Sequence, residues 1–508
     1  MSMPGGQTAL EKGIEAFVEE YAHKQYRRSF PDDGKVIHDP LWGTIRMAPW
    51  EIALLDLPLF QRLRQISQTS LVSFVFPGCR HTRFEHTLGV IHQVQKLTDA
   101  VNQQDSDDTR TFGYDRISEL RLAALFHDCG HACFSHISEN VYRDMPDMAA
   151  ALADGGPFAH CNPHEVMSAL VLKSRPIREY LDELGKHYKK TFRVDTMAEW
   201  IVGRCDPGLE YEQQVLNGPF DADKLDYIFR DAHFSGLPVG LDLERLWSSC
   251  RVGSIELKES KKKQKILTLH KACVSPLEQI LLSKMTLFAG VYQHPKVRAS
   301  ECMFHAAIQM ILDRKQIVCG RVLANASDFL WMTDNHFFAL ADTLKGDDEL
   351  HKIIHDILYR RHLVRAITIS QDTIADSTSP EQKAAFSQLL ALKQLDCHSE
   401  RREIAKMIWE KADKPCAAHQ IWLDLPTNPS KGGADSTFID RGDGTYSSLA
   451  ELFPIHYWLE MFTNHKWRGH VFCPPDCQQK VSDAAITVMR EKYGLTFNTL
   501  AKALCKLT

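Results

Sequence analysis

Four side chains of metal-ligating type occur in three separate stretches of the sequence, RHTRFEHTLG, LFHDCGH and FDADKLDYIFRD. They are His86, His127, Asp128 and Asp223. Imidazole nitrogen combined with carboxylate oxygen suits Fe, Mn or Zn, whereas an all-oxygen set suits Mg or Ca. A His-Asp dipeptide alone is common and usually structural. The three stretches together, each inside a helix-like apolar pattern, predict one transition-metal site.

Such a site prepares hydrolysis, because a metal with three or four protein ligands leaves room for water or a phosphate oxygen. The metal lowers the pKa of the water or polarises the phosphoryl group. Three further histidines lie nearby in sequence: His131, His136 and His164. Histidine exchanges protons near neutral pH, so this group could include a general acid for a leaving alkoxide. The structural alternative is that they are helix-end or partly exposed histidines.

Basic side chains accompany the metal-ligating ones. Arg83 precedes His86 by three residues, Lys224 is adjacent to Asp223, and Lys284 follows later. Arginine can hold phosphate oxygens with two hydrogen bonds, and lysine supplies a point charge. A lone lysine or arginine is usually an exposed surface charge, so the argument depends on the proximity to the ligands.

Apolar spacing predicts a mainly α protein with a few short strands. Helices are expected over Gly13–Arg27, Thr87–Val101, Ile117–His131, Asp223–Arg230, Pro276–Leu312, Glu349–Ile367 and Pro380–Leu395, and from His164 onward. Extended segments are expected over Lys35–Pro40, Ser73–Gly78 and the hairpin at 252–270. We divide the chain into an N-terminal segment (1–34), a catalytic core (35–320) and a mostly helical C-terminal region (321–508), whose role in assembly or regulation is a guess.

Composition excludes several classes of function. The net charge of −5 gives no overall case for nucleic acid or membrane as a partner. Fourteen cysteines without a framework spacing favour reduced thiols. We see no signal peptide and no apolar run of the roughly 20 residues that span a bilayer. The expected location is cytoplasmic, or nuclear in a eukaryote.

The stretches RHTRFEHTLG, LFHDCGHACFSH and FDADKLDYIFRD, in this order, resemble the HD-domain phosphohydrolases. FQRLRQISQ, FVFPG and VYQH narrow the resemblance to the deoxynucleoside triphosphate (dNTP) triphosphohydrolases, near the vertebrate SAM-and-HD-domain enzymes. It covers Lys35–Leu312, and we expect no SAM domain before it. The resemblance implies hydrolysis of a dNTP at the α-phosphorus, which gives deoxynucleoside and inorganic triphosphate.

The resemblance also implies roles for residues that match the family's motifs. The metal ligands would be the four residues named first, and Mg would bind the nucleotide phosphates. The triphosphate would meet Arg83, His131, His136, Lys224, Tyr227 and Lys284. The catalytic histidines would be His136 and His164. The sugar 3′-hydroxyl would meet Gln68 and Asp231, its 2′ position would face Tyr227 and Tyr292, and the base would lie near Gln293.

Some positions depart from the family's pattern. Glu139 stands where the family has an aspartate paired with a catalytic histidine, and Lys284 stands where it has arginine. Thr69 is polar beside the expected 2′ wall, which puts the exclusion of ribonucleotides in doubt. A regulatory nucleotide site would map onto Lys35, Val36, Asp56 and Arg64, although Asp56 and Arg64 could equally form a plain ion pair.

Alternatives from other classes stay open at this stage. An HD phosphodiesterase or nuclease would share the four ligands, but it gives no reason for the FQRLR, DYIFRD and VYQH matches. A relaxed-specificity NTP hydrolase would explain Thr69. A non-catalytic nucleotide sensor is disfavoured, because such proteins usually have a broken ligand set. The expected partners are a dNTP substrate, an activating nucleotide and further copies of the chain in a dimer or tetramer.

Overall fold

The computed structural model describes residues 7–22, 30–105, 110–240, 242–256, 263–346, 348–393, 398–427 and 435–507, and helices dominate them, as predicted. The first helices are α1 (Ala9–Tyr21), α2 (Pro49–Leu55), α3 (Pro58–Gln61), α4 (Arg83–Asn102), α5 (Tyr114–Phe126), α6 (His136–Tyr142), α7 (Pro146–Leu152), α8 (Pro163–Lys173), α9 (Arg175–Tyr188), α10 (Val194–Ile201), α11 (Glu210–Gln214), α12 (Ala222–Ser235) and α13 (Leu243–Ser248). The later ones are α14 (Val274–Leu287), α15 (Pro295–Asp313), α16 (Asp334–Thr343), α17 (Glu349–Leu358), α18 (Pro380–Ala391), α19 (His398–Lys411), α20 (Leu449–Leu452), α21 (Ile455–His465), α22 (Gln478–Tyr493) and α23 (Leu500–Ala503).

The strands form small, separate sheets. They are β1 (Lys35–Asp39), β2 (Gly43–Met47), β3 (Cys250–Glu256), β4 (Lys263–His270), β5 (Ile317–Val318), β6 (Arg321–Val322), β7 (Val364–Ile369), β8 (Trp422–Asp424), β9 (Phe438–Asp440), β10 (Tyr446–Ser448) and β11 (Gly469–Cys473). Antiparallel hairpins join β1 to β2 and β5 to β6. A four-stranded sheet has the order β10-β9-β4-β3, with β4 and β9 parallel, and a three-stranded antiparallel sheet has the order β7-β11-β8.

Apolar side chains pack into two cores. The first contains side chains from Leu10 to Leu363, joined by a few from later strands and helices, and α5 lies at its centre with both faces buried. A helix that is buried on every face must be enclosed by other elements, and α5 packs against α4, α8 and α10. The second core contains side chains between Ala366 and Leu495. The division of the chain at residue 320 stays a prediction. In the structure, the continuous run of first-core side chains ends at Leu363 and the second core begins at Ala366.

Several predicted elements are confirmed, among them the strand at Lys35, the hairpin formed by β3 and β4, and α12. The extended run at Ser73–Gly78 is wrong, because a 3-10 turn over Val72–Phe74 satisfies the backbone groups locally. The helix predicted over Glu349–Ile367 ends at Leu358, and β7 follows. Residues 23–27 of the first predicted helix lie outside the described residues. So do residues 260–262 in the tip of the predicted hairpin, the stretch SKKKQK.

The predicted helix through His127 ends instead at Phe126, and residues 127–130 form turns. Arg62 explains the break, because its buried Nη2 donates to the carbonyl oxygens of Cys129 (2.7 Å) and His131 (2.9 Å). A cation near the carboxyl end of a helix stabilises carbonyls that lack helical partners. The His-Asp pair therefore lies at the start of a turn whose later carbonyls, those of Cys129 and His131, are held by Arg62.

Among the described helices, none combines the length and the apolar character needed to cross a bilayer.

Candidate metal and catalytic site

His86 lies in the first turn of α4 and is fully buried. Thr82 and Glu85 form a capping box that starts this helix. The Nδ1 of His86 donates to Asp226 Oδ2 at 2.8 Å, which leaves its Nε2 as the nitrogen that faces the other ligand residues. That Nε2 lies 3.0 Å from Asp223 Oδ1 and 3.5 Å from Asp128 Oδ2.

Asp226 is a partner of this site that the sequence reasoning missed. It lies one turn after Asp223 on α12 and also accepts from Trp42 Nε1 (2.5 Å) and Arg230 Nε (2.8 Å). A carboxylate behind a metal-binding histidine fixes the ring and raises its basicity. The sequence contained a signal for this partner. Asp226 follows Asp223 by three residues and Gly89 follows His86 by three residues, so each lies on the same helix face as a metal-ligating residue. A Cβ at Gly89 would lie 1.8 Å from Asp226 Oδ1, so this close approach requires glycine.

His127 and Asp128 complete the cluster from the turn after α5. The Nδ1 of His127 donates to the Ala124 carbonyl at 2.6 Å, which leaves Nε2 as an acceptor, buried and without a hydrogen-bond partner among the described residues. Asp128 pairs with Arg83 Nη1 at 2.5 Å. Burial alone would raise the pKa of Asp128, but Arg83 and the surrounding histidines hold it well below its usual value.

This donor set fits a metal ion. His86, His127 and Asp128 present ligand atoms within 4.8 Å of one another, and Asp223 adjoins His86. Both histidines direct Nε2 toward the cluster, because Nδ1 donates to Asp226 in His86 and to the Ala124 carbonyl in His127. Burial lowers the pKa of His86, but Asp223 and Asp226 more than offset this and raise it to about 10. A pocket that stabilises an added proton so strongly also attracts a metal cation.

A second cluster joins Glu139 to two histidines. Glu139 Oε2 lies 2.8 Å from His136 Nδ1 and 3.0 Å from His164 Nδ1. Burial lowers the pKa of His164, yet Glu139 raises it to about 9. Burial likewise raises the pKa of Glu139, but the two histidines hold it well below its usual value. His164 is therefore protonated at neutral pH, and His136, with a side chain 64% exposed, faces the cavity.

His131 connects the two clusters. Its ring stacks on His164 with centroids 4.1 Å apart, and its Nε2 lies 3.4 Å from Asp128 Oδ1. Burial, reinforced by the charge of Arg83, lowers the pKa of His131 well below its usual value. The ring is consequently neutral. The metal-ligating and proton-holding groups thus form one continuous assembly.

The predicted cations lie around this assembly but differ in their settings. Arg83 is buried between Asp128 and Ser135. Lys224 donates to Asp221, the N-cap of α12, and although burial lowers its pKa, Asp221 and Asp223 raise it. Burial, with Lys224 nearby, lowers the pKa of Lys284 to about 8.

Most of these groups line one cavity of about 1370 Å³, which exceeds the usual ligand pocket, whereas His86, His131, Glu139 and Lys284 lie behind its lining. Predicted residues that line it include Gln68, Thr69, Arg83, His127, Asp128, His136, His164, Asp223, Lys224, Tyr227, Asp231, Tyr292 and Gln293. Both carboxylate oxygens of Asp231 are already engaged, one by His81 Nε2 at 2.7 Å and the other by the Tyr292 hydroxyl. Gln293 donates to the Thr427 carbonyl at 2.8 Å, so this end of the cavity is bounded by the chain after β8.

The four residues predicted for a regulatory nucleotide lie on the surface near β1. Lys35 Nζ pairs with Asp56 at 3.5 Å, both more than half exposed, and Val36 is 60% exposed. Arg64 donates to Gln61 and lies 3.5 Å over the Phe84 ring. The ion pair that forms is therefore between Lys35 and Asp56, and the regulatory role stays a prediction.

Comparison with protein families identifies the class. An HD domain model matches residues 83–228, and an HD associated region model matches residues 255–493. The chain therefore belongs to the proteins that carry an HD domain followed by an HD associated region.

Relatives in several organisms share part of the chain. An uncharacterized protein of Methanocaldococcus jannaschii is 28% identical over 61% of this chain and 57% of its own length. The deoxynucleoside triphosphate triphosphohydrolase SAMHD1 of Homo sapiens is 28% identical over 44% of this chain and 37% of its own length. The match thus spans less than two thirds of either relative. The crystal structure of a hypothetical protein from Aquifex aeolicus has the same fold, with a TM-score of 0.61, 20% identity, and coverage of 89% of this chain and 99% of that one.

Proposed function

We propose that this protein hydrolyses deoxynucleoside triphosphates to deoxynucleoside and inorganic triphosphate. One observation carries the proposal: a single cavity contains a metal-ligating cluster, a protonated histidine on a buried glutamate, and two cations. Hydrolysis of the phosphoester bond between the α-phosphorus and O5′ would use all three: the metal to activate water, the cations to bind the phosphates and the histidine to protonate the leaving O5′. A binding module has no use for the raised pKa of His164.

Residues of this chain would divide the reaction as follows. His86, His127, Asp128 and Asp223 would hold a transition metal, which supplies an activated water and polarises the α-phosphoryl group. Arg83 and Lys224 would bind phosphate oxygens, and Mg would accompany the β- and γ-phosphates. The balance is one water added: its oxygen bonds to the α-phosphorus, the bond from phosphorus to O5′ breaks, and the deoxynucleoside leaves as O5′ takes up a proton, so that inorganic triphosphate carries the oxygen of the water.

His164 would supply the proton that O5′ needs as it departs. Glu139 stabilises the protonated imidazole, and the stacked, neutral ring of His131 separates this proton from Asp128. His136, exposed to the cavity and held by the same carboxylate oxygen, would contact the phosphates or relay the proton. Glu139 would thus perform the role of the family's aspartate, since one oxygen reaches both histidines.

The substrate end of the cavity supports a nucleoside. Tyr227 and Tyr292 provide aromatic walls, and Gln293 Oε1 is buried without a hydrogen-bond partner in the described part of the chain. The same holds for Thr69 Oγ1, so a ribose 2′-hydroxyl would find a partner there. Relaxed specificity that admits NTPs is therefore the second candidate. The human relative is named as a deoxynucleoside triphosphate triphosphohydrolase, which supports the assignment of a deoxynucleotide substrate.

The test is to incubate purified, metal-loaded protein with each dNTP and each NTP, singly and mixed, and to resolve the phosphate products. Inorganic triphosphate with free deoxynucleoside is the expected result, and a mixture that reacts when single nucleotides do not would reveal an activating nucleotide. Orthophosphate or pyrophosphate as the first product would refute the proposal. Turnover of cyclic or polymeric nucleotides alone would indicate the phosphodiesterase class instead.

A further inference from the structure

Asp334, the first residue of α16, lies in the C-terminal region (321–508), in which we predicted no site residue, yet it contacts two segments that lead into the lining of the cavity. It is 8% exposed. Its Oδ2 accepts from the backbone nitrogen (2.9 Å) and the hydroxyl (2.6 Å) of Ser67, and its Oδ1 accepts from the backbone nitrogen of Phe134 (2.7 Å). One carboxylate therefore joins two segments that are 267 and 200 residues away in sequence.

The two joined segments carry site residues immediately afterwards. Ser67 precedes Gln68 and Thr69, and Phe134 precedes Ser135 and His136. The first segment is also tied to the start of α4, since Gln68 donates to the His81 carbonyl at 3.1 Å. A displacement at either end of this carboxylate would consequently move groups that face the cavity.

Three non-glycine residues with positive φ lie in or beside these segments. Ser70, Phe134 and Ser135 have φ values of 58°, 53° and 55°, a left-handed region that non-glycine residues rarely adopt. Such conformations persist only where the surroundings impose them. The Ser70 hydroxyl donates to the Phe134 carbonyl at 2.7 Å. This hydrogen bond holds the strained residues Ser70 and Phe134 against each other, next to the backbone nitrogen that donates to Asp334.

Hydrogen bonds extend from this strained turn to the metal ligands. The Ser135 hydroxyl donates to the Ser67 carbonyl (2.6 Å) and accepts from Arg83 Nε (2.9 Å). Arg83 in turn pairs with Asp128 at 2.5 Å. A continuous path therefore runs from Asp334 through Ser67 and Ser135 to the arginine that contacts a metal ligand.

We propose that Asp334 is a positioning residue, which holds the strained turn before His136 and orients Arg83 through Ser135. This inference deepens the proposed function and rests on it for the activity readout alone. Burial raises the pKa of Asp334 to about 6, so it is ionised at neutral pH, and its three hydrogen bonds are strengthened by its charge. The Phe134 ring packs among Phe304, Phe337 and Phe338, so α15 and α16 hold the side chain of the same turn.

The test compares Asp334→Asn with Asp328→Asn. Asp328 is a matched control, because it also accepts from two backbone nitrogens at a helix start, but these belong to Ala324 and Asn325, away from the cavity. For Asp334→Asn we expect a fall in kcat of at least tenfold, a KM change of less than about threefold, and an unchanged metal content. Asp328→Asn should retain wild-type kcat.

Hydrogen exchange measured by mass spectrometry tests the contact without reference to any substrate. Exchange should increase in peptides covering 66–70 and 133–136 of Asp334→Asn and stay unchanged in the rest of the first core. Unchanged exchange there would overturn the inference even if the protein hydrolyses no dNTP, and increased exchange with wild-type kcat would overturn the positioning role. If Asp334→Asn does not fold, Ser67→Ala, which removes one of the three hydrogen bonds, should change the same peptides and lower kcat by a smaller factor.

Discussion

Replacing Glu139 with glutamine should lower the pKa of His164 and shift the pH dependence of catalysis. Glu139 Oε2 contacts His164 Nδ1 at 3.0 Å and raises its pKa from 6.5 to about 9. At about 1.4 kcal/mol per pH unit, this net shift favours protonated His164 by roughly 3 kcal/mol. Glutamine keeps the size of the side chain but removes the charge. Because burial acts in the opposite direction, the pKa in the variant should fall to 6.5 or below.

The assay is the pH dependence of kcat, together with an NMR titration of protein labelled with [13Cε1]histidine, in which His164→Gln assigns the resonance. If His164 donates the proton, kcat of the wild type declines as the pH rises through about 9, and that of Glu139→Gln declines near or below pH 6.5. Glu165→Gln is the control, because Glu165 adjoins His164 in sequence and raises its pKa less than Glu139 does, while its carboxylate bonds to Asn162. A basic limb that stays near pH 9 in Glu139→Gln, or that moves equally in Glu165→Gln, would refute the reasoning.

The same pair affects stability with a defined sign. The raised pKa of His164 stabilises the folded protein fully below about pH 6.5, and this contribution is lost as the pH rises through about 9. The lowered pKa of Glu139 contributes above about pH 4.5 and is lost as the pH falls through its folded value. The difference in free energy of unfolding between wild type and Glu139→Gln should therefore be largest between these limits, near pH 5–6.5, and smaller at pH 9.5.

Three further substitutions test the metal and sugar ends of the site. Gly89→Ala should displace Asp226, because the new Cβ would lie 1.8 Å from its Oδ1, and should reduce bound metal by at least tenfold on elemental analysis, whereas Gly113→Ala, with no atom within 4 Å of the added Cβ, should keep it. Asp226→Asn should weaken metal affinity about 10- to 100-fold by freeing the ring of His86, and a metal titration that matches wild type would contradict this. Thr69→Val should lower kcat/KM for NTPs relative to dNTPs by about tenfold, and an unchanged ratio would show that the threonine hydroxyl does not meet the 2′-hydroxyl.

Local patterns in the sequence were sufficient to predict the helices that present the site. Apolar periodicity located α4, α8 and α12, and the spacing of His86, His127, Asp128 and Asp223 indicated a transition-metal set before any geometry was known. These inferences succeed because helix periodicity and ligand chemistry are expressed within a few residues of one another.

Features that depend on distant contacts were not predicted. The end of α5 before His127 depends on Arg62, which lies 67 residues from the carbonyl it binds at Cys129. Asp226 contacts His86 across 140 residues, and Asp334 contacts Ser67 across 267. No periodicity encodes such pairings, so they emerge only when the chain is folded. Gly89 was a local sign of the contact between Asp226 and His86, since a glycine inside a helix can mark the close approach of another element.

Hydrolysis in water enriched in 18O tests the central claim most directly. Metal-loaded protein would be incubated with a dNTP, and the products would be analysed by mass spectrometry, with His164→Gln and chelator-treated protein as controls. The account predicts one 18O atom in inorganic triphosphate, none in the deoxynucleoside, and loss of turnover in both controls. Label in orthophosphate or pyrophosphate, or label in the 5′-hydroxyl of the deoxynucleoside, would show that water does not attack the α-phosphorus and would contradict the account.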